Sequence, residues 1–148
     1  MPMDREHCLA MGRTCVAYNL RRASRLVSQA YDQALKPTGL KVTQFSLLVS
    51  FVLAPASKMA QLAQWLGMDR TTLSRNLRVL EKRGLVELEQ GQQDRRELKV
   101  RITPEGKKVF EQATPLWLKA QEEVVGGIGQ ERWGELAKEL RSLVAGLK

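Results

Sequence analysis

The spacing of apolar residues changes twice along this chain, and those changes mark out its elements. Across residues 12–36, Cys15, Leu20, Leu26, Val27, Ala30, Ala34 and Leu35 recur at helical intervals with Arg13, Arg21, Arg22 and Arg25 between them, which predicts one long amphipathic helix. Pro37, Thr38 and Gly39 end it, because proline disfavours a helical predecessor and glycine supplies turn geometry. Thr43 is expected to cap a strongly apolar helix over residues 45–53, closed by Pro55.

Residues 58–83 carry the clearest pattern. Met59, Leu62, Ala63 and Leu66 form one helical stripe, Gly67, Met68 and Asp69 interrupt it, and Leu73, Leu77 and Leu80 resume at i, i+4 and i+7. This predicts a helix, a tight turn and a second helix, with the Asp69 carboxylate capping the second. After Gly84 the period becomes two: Val86 and Leu88 alternate with Glu87 and Glu89, and Leu98, Val100 and Ile102 with Lys99 and Arg101. Two half-buried antiparallel strands joined by the polar tip 90–97 follow from that alternation.

The helical period then returns. Thr103 and Pro104 make a compact start, since a proline at the first position forfeits an N–H that has no partner anyway. Val109, Phe110, Ala113, Leu116, Trp117 and Ala120 form the apolar face of a helix expected to reach the mid-120s, kinked at Pro115 and broken by Gly126, Gly127 and Gly129. A last amphipathic helix carries Trp133, Leu136, Leu140, Leu143, Val144 and Leu147. The first and last helices thus present apolar stripes too wide for one small domain to cover, which implies a partner chain.

Charge sharpens this picture. The 148 residues carry a net charge of +8, and the excess is segregated: residues 1–101 hold 17 Lys/Arg against 9 Asp/Glu, residues 102–148 hold 7 against 7. Segregation of this kind is expected of a surface that meets a polyanion. The longest apolar run, over residues 47–55, contains Ser50 and falls far short of the ~20 residues that cross a bilayer. With no leader pattern at the N-terminus, a cytoplasmic protein without a membrane partner is expected.

Once Leu73, Leu77 and Leu80 are buried, the second helix of the pair exposes Arg70, Thr71, Thr72, Ser74, Arg75, Asn76 and Arg78, and no acidic residue falls between 70 and 80. Arginine pairs with guanine, asparagine with adenine, and short hydroxyls with either, so this face suits base edges and phosphates. Arg95 and Arg96 at the hairpin tip are placed for the negative potential of a minor groove, with Asp94 orienting one of them.

The run Leu62-Ala63-Gln64-Trp65-Leu66-Gly67-Met68-Asp69-Arg70-Thr71-Thr72-Leu73-Ser74-Arg75, then Leu80-Glu81-Lys82-Arg83-Gly84-Leu85-Val86, Asp94-Arg95-Arg96 and Thr103-Pro104-Glu105-Gly106, resembles the winged helix-turn-helix of MarR-type transcription regulators. The resemblance implies a mainly α fold with a small β-wing, residues 41–103 forming the DNA-binding domain and residues 1–40 and 104–148 the helical dimerisation region. It further implies a homodimeric repressor on a pseudo-palindromic double-stranded DNA operator, released by a small ligand or by cysteine oxidation, with no cofactor.

Two effector arrangements follow. Cys8 and Cys15, seven apart, share a side if one early helix carries both, as a thiol switch or a soft-metal site with His7; alternatively they are small apolar residues in the dimer interface. The resemblance places a ligand pocket between the first helix and the winged domain, where Tyr18, Arg22, Phe45 and Trp117 supply aromatic walls and a cation, or else simply pack in the core. An enzyme has little to stand on: one histidine, no phosphate-cradling glycine loop, no clustered acid pair. A winged module that coats DNA without sequence preference is the remaining alternative, separated by its ratio of specific to non-specific affinity.

Overall fold

A break at Cys15 divides the expected N-terminal helix in two in the computed structural model, which describes residues 4–54, 58–92 and 98–147. Helix α1 (Arg5–Thr14) begins at Asp4, whose carboxylate accepts from the His7 amide at 2.9 Å. That bond, with the His7 side chain, holds the Asp4 carboxyl below its ordinary pKa. Helix α2 (Val16–Leu35) follows after one residue, Cys15, in extended conformation. The side-chain amide of Asn19 braces the break: it donates to the carbonyls of Arg13 at 3.1 Å and Gly12 at 3.4 Å, groups that a continuous helix would have bonded itself.

A single 3-10 turn (Lys36–Thr38) and Gly39, at φ 69°, separate α2 from α3 (Val42–Leu53). Helix α3 starts ahead of the expected cap, so Thr43 lies within its first turn. Gln44 takes the capping role, its Oε1 accepting from the Lys41 amide at 3.1 Å. Helix α4 (Met59–Leu66), the turn at Gly67 (φ 62°) and α5 (Arg70–Lys82) form the expected helix-turn-helix.

Strands β1 (Val86–Gln90) and β2 (Leu98–Ile102) pair antiparallel with Val86 opposite Ile102 and Leu88 opposite Val100, which puts those four side chains on the core side. Glu87 faces Arg101 and Glu89 faces Lys99 on the exposed side, and Arg101 bridges diagonally to Glu89 at 3.2 Å. The mainly α architecture with a two-stranded wing agrees with expectation.

Helix α6 (Pro104–Ile128) opens where the sequence placed it. Thr103 Oγ1 accepts from the Gly106 amide at 2.9 Å, completing the cap. The helix carries Pro115 internally and runs past both Gly126 and Gly127, beyond the mid-120s end expected of it. Glycine inside a helix costs only about 1 kcal/mol against alanine, so the stop comes instead at Gly129, which adopts φ 98° ahead of α7 (Gln130–Gly146).

The chain divides into two compact units: Met1–Gln33 with Ala120–Lys148, and Ala34–Lys119. The second holds the main core, in which Leu35, Leu47, Leu48, Phe51, Leu73, Leu80 and Val100 are fully buried. In the first, only Tyr31, Ala120 and Val125 are buried apolar positions among the described residues. Tyr31 donates its hydroxyl to Gln121 Oε1, and burial raises the phenol's pKa. Among the described residues no helix is long and apolar enough to cross a membrane.

Candidate nucleic-acid interface

Helix α5 is held by one side. Leu73, Leu77 and Leu80 are each no more than 1% exposed, and burial of side chains this size stabilises the fold by roughly 1.5–3 kcal/mol apiece. The opposite side therefore faces solvent by geometry. At its N-terminus both oxygens of Asp69 are engaged by Thr72, through the amide and the hydroxyl, each at 2.8 Å. The amide bond first, and the hydroxyl second, keep the Asp69 carboxyl below its ordinary pKa.

These local bonds sort the sequence-predicted residues. Thr72 is committed to the cap, and Asn76 Nδ2 donates to the Thr72 carbonyl one turn back at 2.9 Å. Arg70, Thr71, Ser74, Arg75 and Arg78 instead line one open recess of about 600 Å³ together with Val79 and Lys82. Four cations and no carboxylate border it. Lys82 and Val79 escaped the sequence reading, although Arg75, Arg78 and Lys82 at i, i+3 and i+7 form a stripe that a longer window would have included. Asp94, Arg95 and Arg96 lie outside the described residues.

The effector candidates fall into separate sets. Tyr18 and Arg22 share a surface recess of about 350 Å³ on α2 with Arg21, Arg25, Leu26 and Gln29. No carboxylate lines that recess either. Phe45 and Trp117 belong to the other compact unit and stack at 5.8 Å between ring centroids, with Phe110 also stacked on Phe45 at 5.2 Å. Phe45 is only 4% exposed and lies in the core cluster, with Trp117 packed partly buried against it. Cys8 is on α1 and Cys15 caps its end, both exposed, so the continuous helix that would have aligned them is absent. The Cys15 sulfur accepts from the Tyr18 amide at 3.4 Å in the first turn of α2. Among the described residues no group of three or more His, Cys, Asp or Glu side chains is arranged to hold a metal ion.

Residues 38–97 match the model of the MarR family. The HTH-type transcriptional regulator YwoH of Bacillus subtilis (strain 168) is 30% identical over 116 residues, spanning 77% of this chain and 82% of that protein. The chain belongs to the MarR family.

MarR-family proteins are winged helix-turn-helix transcriptional regulators and not enzymes. The M. tuberculosis transcriptional regulator MosR, solved in complex with DNA, is 39% identical with a TM-score of 0.81 over 90% of this chain and 96% of its own. CouR from Rhodococcus jostii RHA1, solved with p-coumaroyl-CoA bound, is 26% identical with a TM-score of 0.75 over 89% of this chain and 93% of its own.

Proposed function

We propose that this MarR-family regulator is a repressor that binds a pseudo-palindromic operator as a homodimer, laying α5 of each protomer in a major groove. The observation that carries this is the acid-free recess of Arg70, Arg75, Arg78 and Lys82 on the side of α5 opposite its buried leucines. Guanidinium groups on the outer face of a helix of this length reach guanine edges and flanking phosphates together. Thr71 and Ser74 add short donors to the same face, while Asn76 retains a carbonyl oxygen and a second N–H for an adenine edge. Asp94, Arg95 and Arg96 of the wing follow the adjacent minor groove in this reading.

Residues 1–40 and 104–148 form the dimerisation region, and 41–103 the DNA-binding domain. Support for the dimer is the poverty of core in the first compact unit. Leu9, Met11, Val16, Leu26, Val144 and Leu147 are all exposed by 49% or more, an apolar surface that a second copy would cover. Two-fold symmetry then sets the recognition helices about one DNA turn, ~34 Å, apart.

For release, the recess on α2 is the better-placed effector site. Arg21, Arg22 and Arg25 have no ion pair among the described residues, and Tyr18 adds an aromatic wall, which suits a small aromatic anion. A thiol switch is the second reading, favoured by the Cys15 sulfur accepting an amide at the start of α2, where oxidation would disturb the helix end.

Titration of the dimer against DNA fragments from around its own gene, at several salt concentrations, tests the central reading. A specific site bound at least ~10³-fold more tightly than random duplex at physiological salt supports it. Equal affinity for all duplexes would make the protein a DNA-coating module instead.

A further inference from the structure

Three residues follow α5 before the wing begins, and each is tied to another element. Arg83 donates from Nη1 to the Gly39 carbonyl at 2.9 Å and from Nη2 to the Thr38 carbonyl at 2.8 Å. Those two carbonyls belong to the turn that ends α2, where Thr38 Oγ1 also donates to the Leu35 carbonyl at 2.7 Å. The Gly84 carbonyl accepts from Thr103 Oγ1 at 2.6 Å, and the Leu85 carbonyl from the Thr103 amide at 3.1 Å. Thr103 in turn caps α6 through the Gly106 amide. At Gly106 the first turn of α6 lies so close that a Cβ would stand 2.0 Å from the Leu85 carbonyl oxygen.

Helices α2 and α6 are also the two that run from the Ala34–Lys119 unit into the other unit, crossing its limits at residues 33/34 and 119/120. The C-terminal end of α2 and the N-terminal start of α6 are thus both bonded to one tripeptide, and that tripeptide is the direct continuation of the recognition helix. We infer that Arg83-Gly84-Leu85 is a positioning segment that sets the angle of α5 against the ends of α2 and α6, with Arg83 a positioning residue for DNA binding. Arginine suits the task because its planar guanidinium reaches two successive carbonyls at once, which a lysine ammonium on a flexible stem does not hold in one geometry. Its guanidinium is spent on backbone carbonyls, whereas Arg70, Arg75, Arg78 and Lys82 border the open recess. Helix α5 is anchored along its length by packing of Leu73, Leu77 and Leu80, which restrains sliding; the Arg83 pair adds a polar tie at its C-terminal end.

The inference rests on the operator reading above for its DNA consequence, so its test has one arm with DNA and one without. In free full-length protein, amide hydrogen exchange is compared between wild type, Arg83→Ala and Arg83→Lys. Arg83→Ala is expected to speed exchange in 36–40 and 79–85 together, and Arg83→Lys to fall between, with the melting temperature of the chain little changed. Faster exchange confined to residues beside position 83 would overturn the coupling.

In the DNA arm, affinity is measured for a single half-site, for the full operator and for operators with one or two base pairs inserted between half-sites. Arg83→Ala should leave the half-site within about 2-fold of wild type, weaken the full operator by about 3- to 30-fold and flatten the penalty for altered spacing. Equal weakening on every duplex, with a salt slope reduced by about 0.9, would mean that Arg83 contacts phosphate instead and would overturn the proposal. A wild type with no spacing preference would refute the paired half-site reading, while the exchange arm would still decide whether Arg83 couples the two turns.

Discussion

Asp69 and Thr72 are joined twice, the carboxylate accepting from the Thr72 amide with one oxygen and from the Thr72 hydroxyl with the other, both at 2.8 Å. The pair fixes the first turn of α5 and lowers the Asp69 pKa. A carboxylate with a depressed folded-state pKa stabilises fully above its unfolded value, and the contribution disappears as pH falls through the folded value. Asp69→Ala should therefore melt below wild type at pH 6, with the gap closing as the pH drops towards 3. Asp69→Ser, which caps without titrating, should keep its offset from Asp69→Ala nearly constant. Thermal melts across that range check both; a wild-type gap that persists undiminished at pH 3 would refute the assignment.

Charge removal within the α5 recess separates base reading from phosphate binding. Arg78→Gln and Lys82→Gln are expected to weaken all duplexes alike and to flatten the salt dependence by about 0.9 each if each meets one phosphate. Arg75→Ala and Asn76→Ala should instead relax preference at one or two operator positions by roughly 1–3 kcal/mol. Binding to a panel of single-base operator variants distinguishes the two behaviours; uniform loss in all four proteins would exclude direct readout.

Truncation beneath the helix tests the framework that presents it. Leu77 is 1% exposed in the core cluster, so Leu77→Ala should cost about 2–5 kcal/mol in chemical denaturation. Operator binding should recover at low temperature where the variant remains folded. Full stability in Leu77→Ala would mean that the leucine side of α5 is not its anchor.

Leu143 on α7 is exposed in the single chain and Leu140 half-buried beside it. Replacing both with glutamate should convert the dimer to a monomer in sedimentation and abolish tight operator binding, while leaving single half-site binding measurable. A monomer that still binds the full operator at wild-type affinity would contradict the dimeric mode.

Much of the fold was legible because it depends on near neighbours. The 3.6 to 2 to 3.6 sequence of periods located α4, α5, both strands and α6, and the Asp69 and Thr103 caps stood where side-chain chemistry put them. Short-range competition was harder to see. Asn19 braces the break in the N-terminal helix by reaching carbonyls six and seven residues back, and Gln44 rather than Thr43 bonds the Lys41 amide at the start of α3. Neither interrupts the apolar pattern, so periodicity carries no trace of them. The same holds for Gly126 and Gly127, whose composition signalled a break that their helical backbone does not make.

What the sequence determines by itself is which residues of α5 are apolar and which are cationic, since that division follows from helical spacing alone. Tertiary structure decides how each polar side chain is used: Thr72 on the cap, Phe45 in an aromatic stack with Phe110 and Trp117, Arg83 on carbonyls 44 and 45 residues away. The physical reason is that a hydrogen bond or ring contact requires two groups within a few ångströms, and the chain must fold before distant partners meet. Periodicity records burial, which each residue carries in its own chemistry; pairing belongs to two residues at once and exists only after packing has brought them together.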